Sequence, residues 1–167
     1  MTTVNDLLDI LILEEIGEHQ FKGLSKTVGS PTVFGGQVLA QAINAAARTI
    51  KNNRISSQYN DMRGDFAFAR DLAITRNFAV TLSSNNGNDW SNGWSVVSPT
   101  GVARVSFANN VAINASVASI TYRSDGTANV TASTAFKICD DRTGSYGNQM
   151  NVNFAGRVNL TKGVSCP

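Results

Sequence analysis

The sequence predicts an α+β fold: a long N-terminal helical spine, then an antiparallel β-sheet domain, with a short helical and strand appendage in front. Three observations carry this. Apolar residues recur at steps of three and four from about Gly36 to about Thr75, and no proline lies between Pro31 and Pro99 to break a helix. After Arg76 the pattern changes to short, alternating, β-branched segments. Between two of these, Asp125-Gly126 is a hairpin signal.

In chain order, VNDLLDILILEE (4–15) places Val4, Leu7, Leu8, Leu11 and Ile12 on one helical face, so a short amphipathic helix ending near Gly17 is expected. EHQFKGLSKTV (18–28) reads as a strand with an irregularity at Gly23, and GSP (29–31) as a breaker. In FGGQVLAQAINAAARTI, Val38, Ala42, Ala45 and Ala46 fall at helical spacing, as in a tightly packed helix. Ile55, Tyr59, Met62, Phe66, Ala69 and Ala73 continue at steps of three and four, and Gly64 weakens the helix without ending it. The expected helix is unbroken across 47–53, with its small apolar residues in register with Ile55, Tyr59 and Met62. The expected strands are FAVTLSS, GWSVVS, VARVSFA, SVASITYR, a return strand ANVTA, TAFKIC, NQMNVNF and RVNL. Turns are expected at SNNGND, DDRTGSYGN and AGR.

Charge divides unevenly. Residues 1–50 carry three basic and five acidic groups, and the remainder eleven and seven. The formal net charge of +2 is too mild to demand a nucleic-acid partner. Only 16% of residues are charged, and Asn, Ser and Thr fill the gap, which suits a β-rich, extracytoplasmic surface. With a single histidine, His19, and no metal-ligand spacing, no metal or other cofactor is expected. No apolar run approaches a membrane span, and the acidic N-terminus lacks the basic region of a signal peptide, so no export signal is expected. Cys139 and Cys166 are ordinary thiols in a reducing compartment; in an exported protein their even count points to a disulfide.

Two stretches resemble known families. LLDILILEEI, FKGLSKTVG and VFGGQVLAQAINAA together resemble the opening of acyl-CoA thioesterase II over residues 3–49. That resemblance implies the start of a hotdog fold, with VFGGQ opening its central helix and the catalytic groups in a second repeat that this chain lacks. FARDLAITRNFAVTLSS, DWSNGWSVV, FKICDDRTG and NQMNVNFAGRVNL resemble the GspH/FimT family of minor pilins and pseudopilins, including the FimU type, over residues 51–167. The family's leader and its Phe-Thr-Leu-Ile-Glu membrane helix are not present, and the thioesterase-like segment stands in their place. The two resemblances imply a fusion: a non-catalytic appendage over 1–50 and a pseudopilin-like domain over 51–167.

The pilin resemblance implies a non-enzymatic subunit at the tip of a type IV pilus or a type II secretion pseudopilus. Its parent would sit in the inner membrane and periplasm, with other minor and major pilins as partners. Ile55, Tyr59, Met62, Phe66 and Ala69 form the helix face expected to pack under the sheet, and loops 85–93 and 141–149 the expected contacts with neighbours. The unpartnered apolar face near the N-terminus is expected to drive self-association through residues 1–50. Some FimT-type proteins bind double-stranded DNA through a Gly-Arg-x-Arg segment. Here Gly156-Arg157 is followed by Val158-Asn159, so the candidates are Arg157 and Lys162, with Arg142 and Arg104 as spatial partners. The ordinary alternative for Arg157 is a turn cap or a pair with Asp140 or Asp141. A thioesterase site would need more than the Phe34-Gly35-Gly36-Gln37 helix opening, and no acid or base is spaced around it. Trp90 and Trp94 flank Ser-Asn-Gly and could stack a sugar; core packing of Trp94, with Trp90 covering an edge, is the competing reading.

Overall fold

In the computed structural model, residues 8–17, 19–25 and 35–167 are described. The chain divides into two compact units, Met1–Asn53 and Arg54–Pro167.

The first unit contains a two-stranded antiparallel sheet, β1 (Leu13–Gly17) with β2 (Gln20–Gly23). The expected helix over 4–15 is corrected here: among the described residues only 8–10 are helical, and Val4 and Leu7 lie outside them. A short run such as ILILEEIG carries period-2 as well as period-3.6 apolar spacing. Pairing of Leu13 with Gly23 and Glu15 with Phe21 decides for the strand. The irregularity falls between Glu15 and Gly17 rather than at Gly23. The GSP breaker lies outside the described residues.

A single helix, α1 (Gly35–Arg76), continues without interruption through 47–53 and spans 42 residues. Its first part inverts the usual arrangement of an amphipathic helix. Gln37, Gln41, Asn44 and Arg48 form one row, and their side chains donate to backbone carbonyls of the leading segment. Gln37 Nε2 reaches Leu24 O at 2.7 Å, Gln41 Nε2 reaches Ile10 O at 2.7 Å, and Arg48 Nη1 reaches Leu13 O at 2.8 Å. Asn44 Nδ2 donates to Leu11 O at 3.3 Å. These backbone carbonyls call for donors, and the amide and guanidinium groups of the helix supply them from the inner row. Val38, Ala42 and Ala46, expected to pack, are exposed instead, as are Leu39, Ile43 and Ile50. At 100° per residue, Leu39, Ala46 and Ile50 do not fall on the row of Ile55, Tyr59 and Met62, so that row does not extend across 47–53.

In the second unit, α1 lies on one face of an eight-stranded antiparallel sheet. The strands are β3 (Val80–Asn86), β4 (Asp89–Ser98), β5 (Gly101–Ser106), β6 (Ala112–Ala115), β7 (Ser119–Tyr122), β8 (Thr134–Cys139), β9 (Gly144–Val152) and β10 (Val158–Cys166). Their order is β10-β9-β8-β6-β4-β3-β7, with β5 paired to β4. Ile55, Tyr59, Met62, Phe66, Ala69 and Ala73 are buried against the sheet's inner row of Leu82, Trp90, Trp94, Phe136, Ile138 and Met150. The small side chains of Ala69 and Ala73 permit close approach. Phe66 sits at the centre, with Phe136 edge-on at 5.2 Å and Trp90 at 6.2 Å between ring centroids.

Three strand expectations need correction. β6 was not expected; VAINA is short, small and flanked by Asn109-Asn110. SNNGND contains only a two-residue turn at Gly87-Asn88, because β3 and β4 run to Asn86 and from Asp89. Loops 85–93 and 141–149 are therefore largely strand: Trp90 is fully buried, and β9 begins at Gly144. ANVTA returns from the Asp125-Gly126 turn through one bridge only, Tyr122 to Ala128. Beyond it the Asn129 N–H still donates to Thr121 O, while Asn129 Oδ1 accepts the Thr121 N–H, so a side chain takes the place of one backbone acceptor only.

Candidate functional site

The inner row of α1 carries three polar hooks. Gln58 and Asp65, seven residues apart, lie on one flank of the buried face, and Arg70 on the other. Gln58 Oε1 accepts the Asn109 N–H at 2.8 Å and so holds the β5–β6 connection. Arg70 Nε donates to Gly126 O at 2.9 Å and holds the β7 turn.

Asp65 is the densest of these contacts. It is only 4% exposed, and its carboxylate accepts three hydrogen bonds. Trp94 Nε1 donates at 2.9 Å, Ser106 Oγ at 2.5 Å and Arg104 Nη1 at 2.7 Å. The Arg104 guanidinium also lies 4.2 Å from the centre of the Phe68 ring. A buried carboxylate is tolerated when its lone pairs are filled in this way. The result fastens β5 to α1.

The fastening reverses the faces of β5. Arg104 and Ser106 turn inward to Asp65, so Val105 between them points outward. Val102 stands opposite Val97, which alternates with the buried Val96 and Ser98, and therefore also faces outward. A register shift lies between Val96 and Val97. Phe107 completes the row by lying against Gly93. Gly93 has φ +92°, and a Cβ there would meet Ser106 O at 2.4 Å. The Trp90-x-x-Gly93-Trp94 motif is thus explained by packing: two indoles enter the core while glycine admits the neighbouring strand. Trp90 does not cover an edge; it is fully buried, with Nε1 donating to Val117 O at 2.9 Å. Neither indole presents a face for sugar stacking.

At the other side of the sheet, Cys139 and Cys166 form a disulfide that ties the end of β10 to the end of β8. The next residue, Asp140, accepts from Arg142 Nε at 2.9 Å and from the Arg142 backbone N–H at 3.0 Å. Arg142 in turn stacks 4.5 Å from the centre of the Tyr146 ring. Burial alone would raise the Asp140 pKa, but the Arg142 hydrogen bonds and charge outweigh it and hold the carboxyl below its usual value of 3.8.

The four candidate DNA-contacting residues are not brought together. Arg104 is paired with Asp65, and Arg142 with Asp140. Arg157 and Lys162 are exposed, in and after the turn that opens β10. Arg157 places its backbone N–H on Asn153 Oδ1, which makes it a turn residue, while Asp140 is taken by Arg142. Arg142 lies at the opposite end of β9 from Arg157, roughly 30 Å away at strand rise. Gly156 of the Gly-Arg pair has φ +73° and packs against Gly126 O and Arg70, so its presence also has a structural reason. Asp65, Gln58 and Arg70 escaped sequence reading. Each interrupts or flanks an apolar helical row, which is the one signal available, and it does not separate a buried hook from a solvated charge.

Among the described residues, no helix is long and apolar enough to cross a membrane, and no group of three or more His, Cys, Asp or Glu side chains is placed to hold a metal ion.

Comparison with known proteins places these features. Over 52 residues the chain is similar to acyl-CoA thioesterase 2 of Haemophilus influenzae, at 44% identity. That stretch is 31% of this chain but only 18% of the relative, so the chain spans under a fifth of the curated protein it matches. The fold is similar to the type IV minor pilin FimU of Pseudomonas aeruginosa in two crystal forms. The TM-scores are 0.60 and 0.58, each at 21% identity, covering 69% and 67% of this chain and 93% and 96% of FimU. At that identity the likeness establishes the fold: a long helix packed on a large antiparallel sheet. The model of the type II transport protein GspH family matches residues 58–156, from the Gln58 hook to the Gly156 turn, and the chain belongs to that family.

Proposed function

We propose that the chain is a non-enzymatic minor pilin or pseudopilin subunit that primes or caps a type IV pilus or a type II secretion pseudopilus. It acts by packing against other pilin subunits on the periplasmic side of the inner membrane. One observation carries the reading: the GspH match covers the unit in which the buried polar side chains Gln58, Asp65 and Asp140 fasten the sheet to the helix or close its turns. Such groups are engaged in holding the fold and build a rigid surface. The Cys139–Cys166 disulfide supports an oxidising compartment. The thioesterase-like segment supplies under a fifth of its relative, and Gln37 at its helix opening is used to hold Leu24 O.

The test is deletion of the gene in its host, scoring surface pili and type II-secreted protein. Loss of either is expected. If both persist while the purified chain hydrolyses acyl-CoA, the pilin reading is wrong. Duplex DNA binding would have to rest on Arg157 and Lys162, the two candidates not held by Asp65 or Asp140. A salt-dependent gel shift that Arg157→Ala weakens would favour it; no shift at low salt would exclude it.

A further inference from the structure

We infer that β5 is a docking strand through which two copies of this chain pair edge to edge. Among the described residues β5 is hydrogen-bonded within the sheet only to β4, and its second edge presents backbone groups with no strand partner there. All of Gly101–Val105 is exposed. Edge strands of this kind are normally blunted by an outward charge or a proline. β5 has neither. Its single charge, Arg104, is turned inward and neutralised on Asp65. The outer face instead shows Val102, Val105 and Phe107, at 62%, 51% and 71% exposure. The two features specify the occupant. N–H and C=O groups with no strand partner call for an extended backbone, and the outward row calls for apolar side chains at alternate positions with no charge among them. β5 of a second copy has these properties. A two-fold axis perpendicular to the sheet at Val105 keeps both outer faces on the same side. It sets the two Val105 side chains next to one another, a favourable cross-strand pair. The register shift beside Val97 leaves Ala103 without a regular place, confines regular pairing to Arg104–Ser106 on either side of the axis and keeps the contact small. Such a contact falls at or below about 1,000 Å² in total, so the dimer belongs to the weak, transient class, with micromolar dissociation.

The inference stands apart from the pilin reading, because it is tested by self-association of the purified full chain. Sedimentation equilibrium across micromolar concentrations is expected to show a monomer–dimer equilibrium. Val105→Lys, which restores an edge charge on an exposed side chain, should weaken it at least tenfold. Unchanged fluorescence from the buried Trp90 and Trp94 would show that the variant is folded. Amide exchange of residues 102–107 should slow with rising concentration in the parent chain and not in Val105→Lys. A monomer at every concentration overturns the inference. So does a dimer that Val105→Lys leaves intact, in particular one lost on Ile43→Lys, which would assign pairing to the exposed apolar row of α1.

Discussion

Replacing Asp65 with asparagine keeps the shape of the side chain and removes one acceptor and the charge. The carboxylate receives the Trp94 indole N–H, the Ser106 hydroxyl and Arg104. An asparagine offers one acceptor oxygen, and its NH₂ would face the donors that Asp65 now satisfies. Ser106 can rotate away and Arg104 is 45% exposed, so both find water. Trp94 is fully buried and cannot. Leaving that donor unmatched costs about 1–3 kcal/mol, and losing a half-exposed ion pair about 0–1 kcal/mol more. The sum is roughly 1–4 kcal/mol, about 2.5 kcal/mol at its centre, a large share of a stability of about 5–15 kcal/mol. Arg104→Ala removes only the exposed pair and the stacking on Phe68, about 1 kcal/mol. Urea unfolding followed by tryptophan emission measures both variants, with Trp94 itself as a reporter. Asp65→Asn should lose at least twice as much as Arg104→Ala. Equal losses, or a loss below about 1 kcal/mol for Asp65→Asn, would refute the assignment of the buried indole as the dominant partner.

Gly93→Ala should destabilise by about 2 kcal/mol or more and expose the amides of 101–106 to exchange, since a Cβ meets Ser106 O and the φ is positive; an unchanged melting temperature would contradict this. Cys166→Ser opens a 27-residue loop and should cost about 3 kcal/mol. A matching loss in reducing buffer by the parent, and none by the variant, is the control. Tyr122→Phe should be neutral or stabilising, because burial pushes the phenol up to about 12 and its hydroxyl has no hydrogen-bond partner among the described residues. The depressed Asp140 carboxyl contributes stability that is fully present above its unfolded value of 3.8 and is lost as the pH falls through the lower folded value. Asp140→Asn should therefore lower stability at neutral pH and flatten the acid limb of a stability–pH curve; an identical acid limb would count against it.

The parts of the fold legible in sequence are those where one period dominates. The α1 row Ile55–Tyr59–Met62–Phe66 and the strand Thr134–Cys139 fall where periodicity places them. Ambiguity entered where a segment supports two periods. ILILEEIG reads as helix or strand, and only pairing with Gln20–Gly23 decides. The inner row Gln37–Arg48 was illegible for a different reason. Polar residues are assigned to solvent by default, yet backbone carbonyls of the leading segment accept from them and make them the better inner face. Asp65 is the same case at greater range: its partners lie 29 to 41 residues away, and no local pattern announces them. The motif glycines were visible, but the close approaches at Gly93 and Gly156 that require them were not.

The central claim is that the unit from Arg54 onward is a pilin-type packing module. Cross-linking mass spectrometry on the full chain expressed in its host, followed by capture under denaturing conditions, tests it directly. The expected result is cross-links from residues 54–167 to other pilin subunits, concentrated on the exposed sheet edges. Recovery of no pilin peptides, with cross-links from that unit going instead to acyl-CoA-processing enzymes, would contradict it.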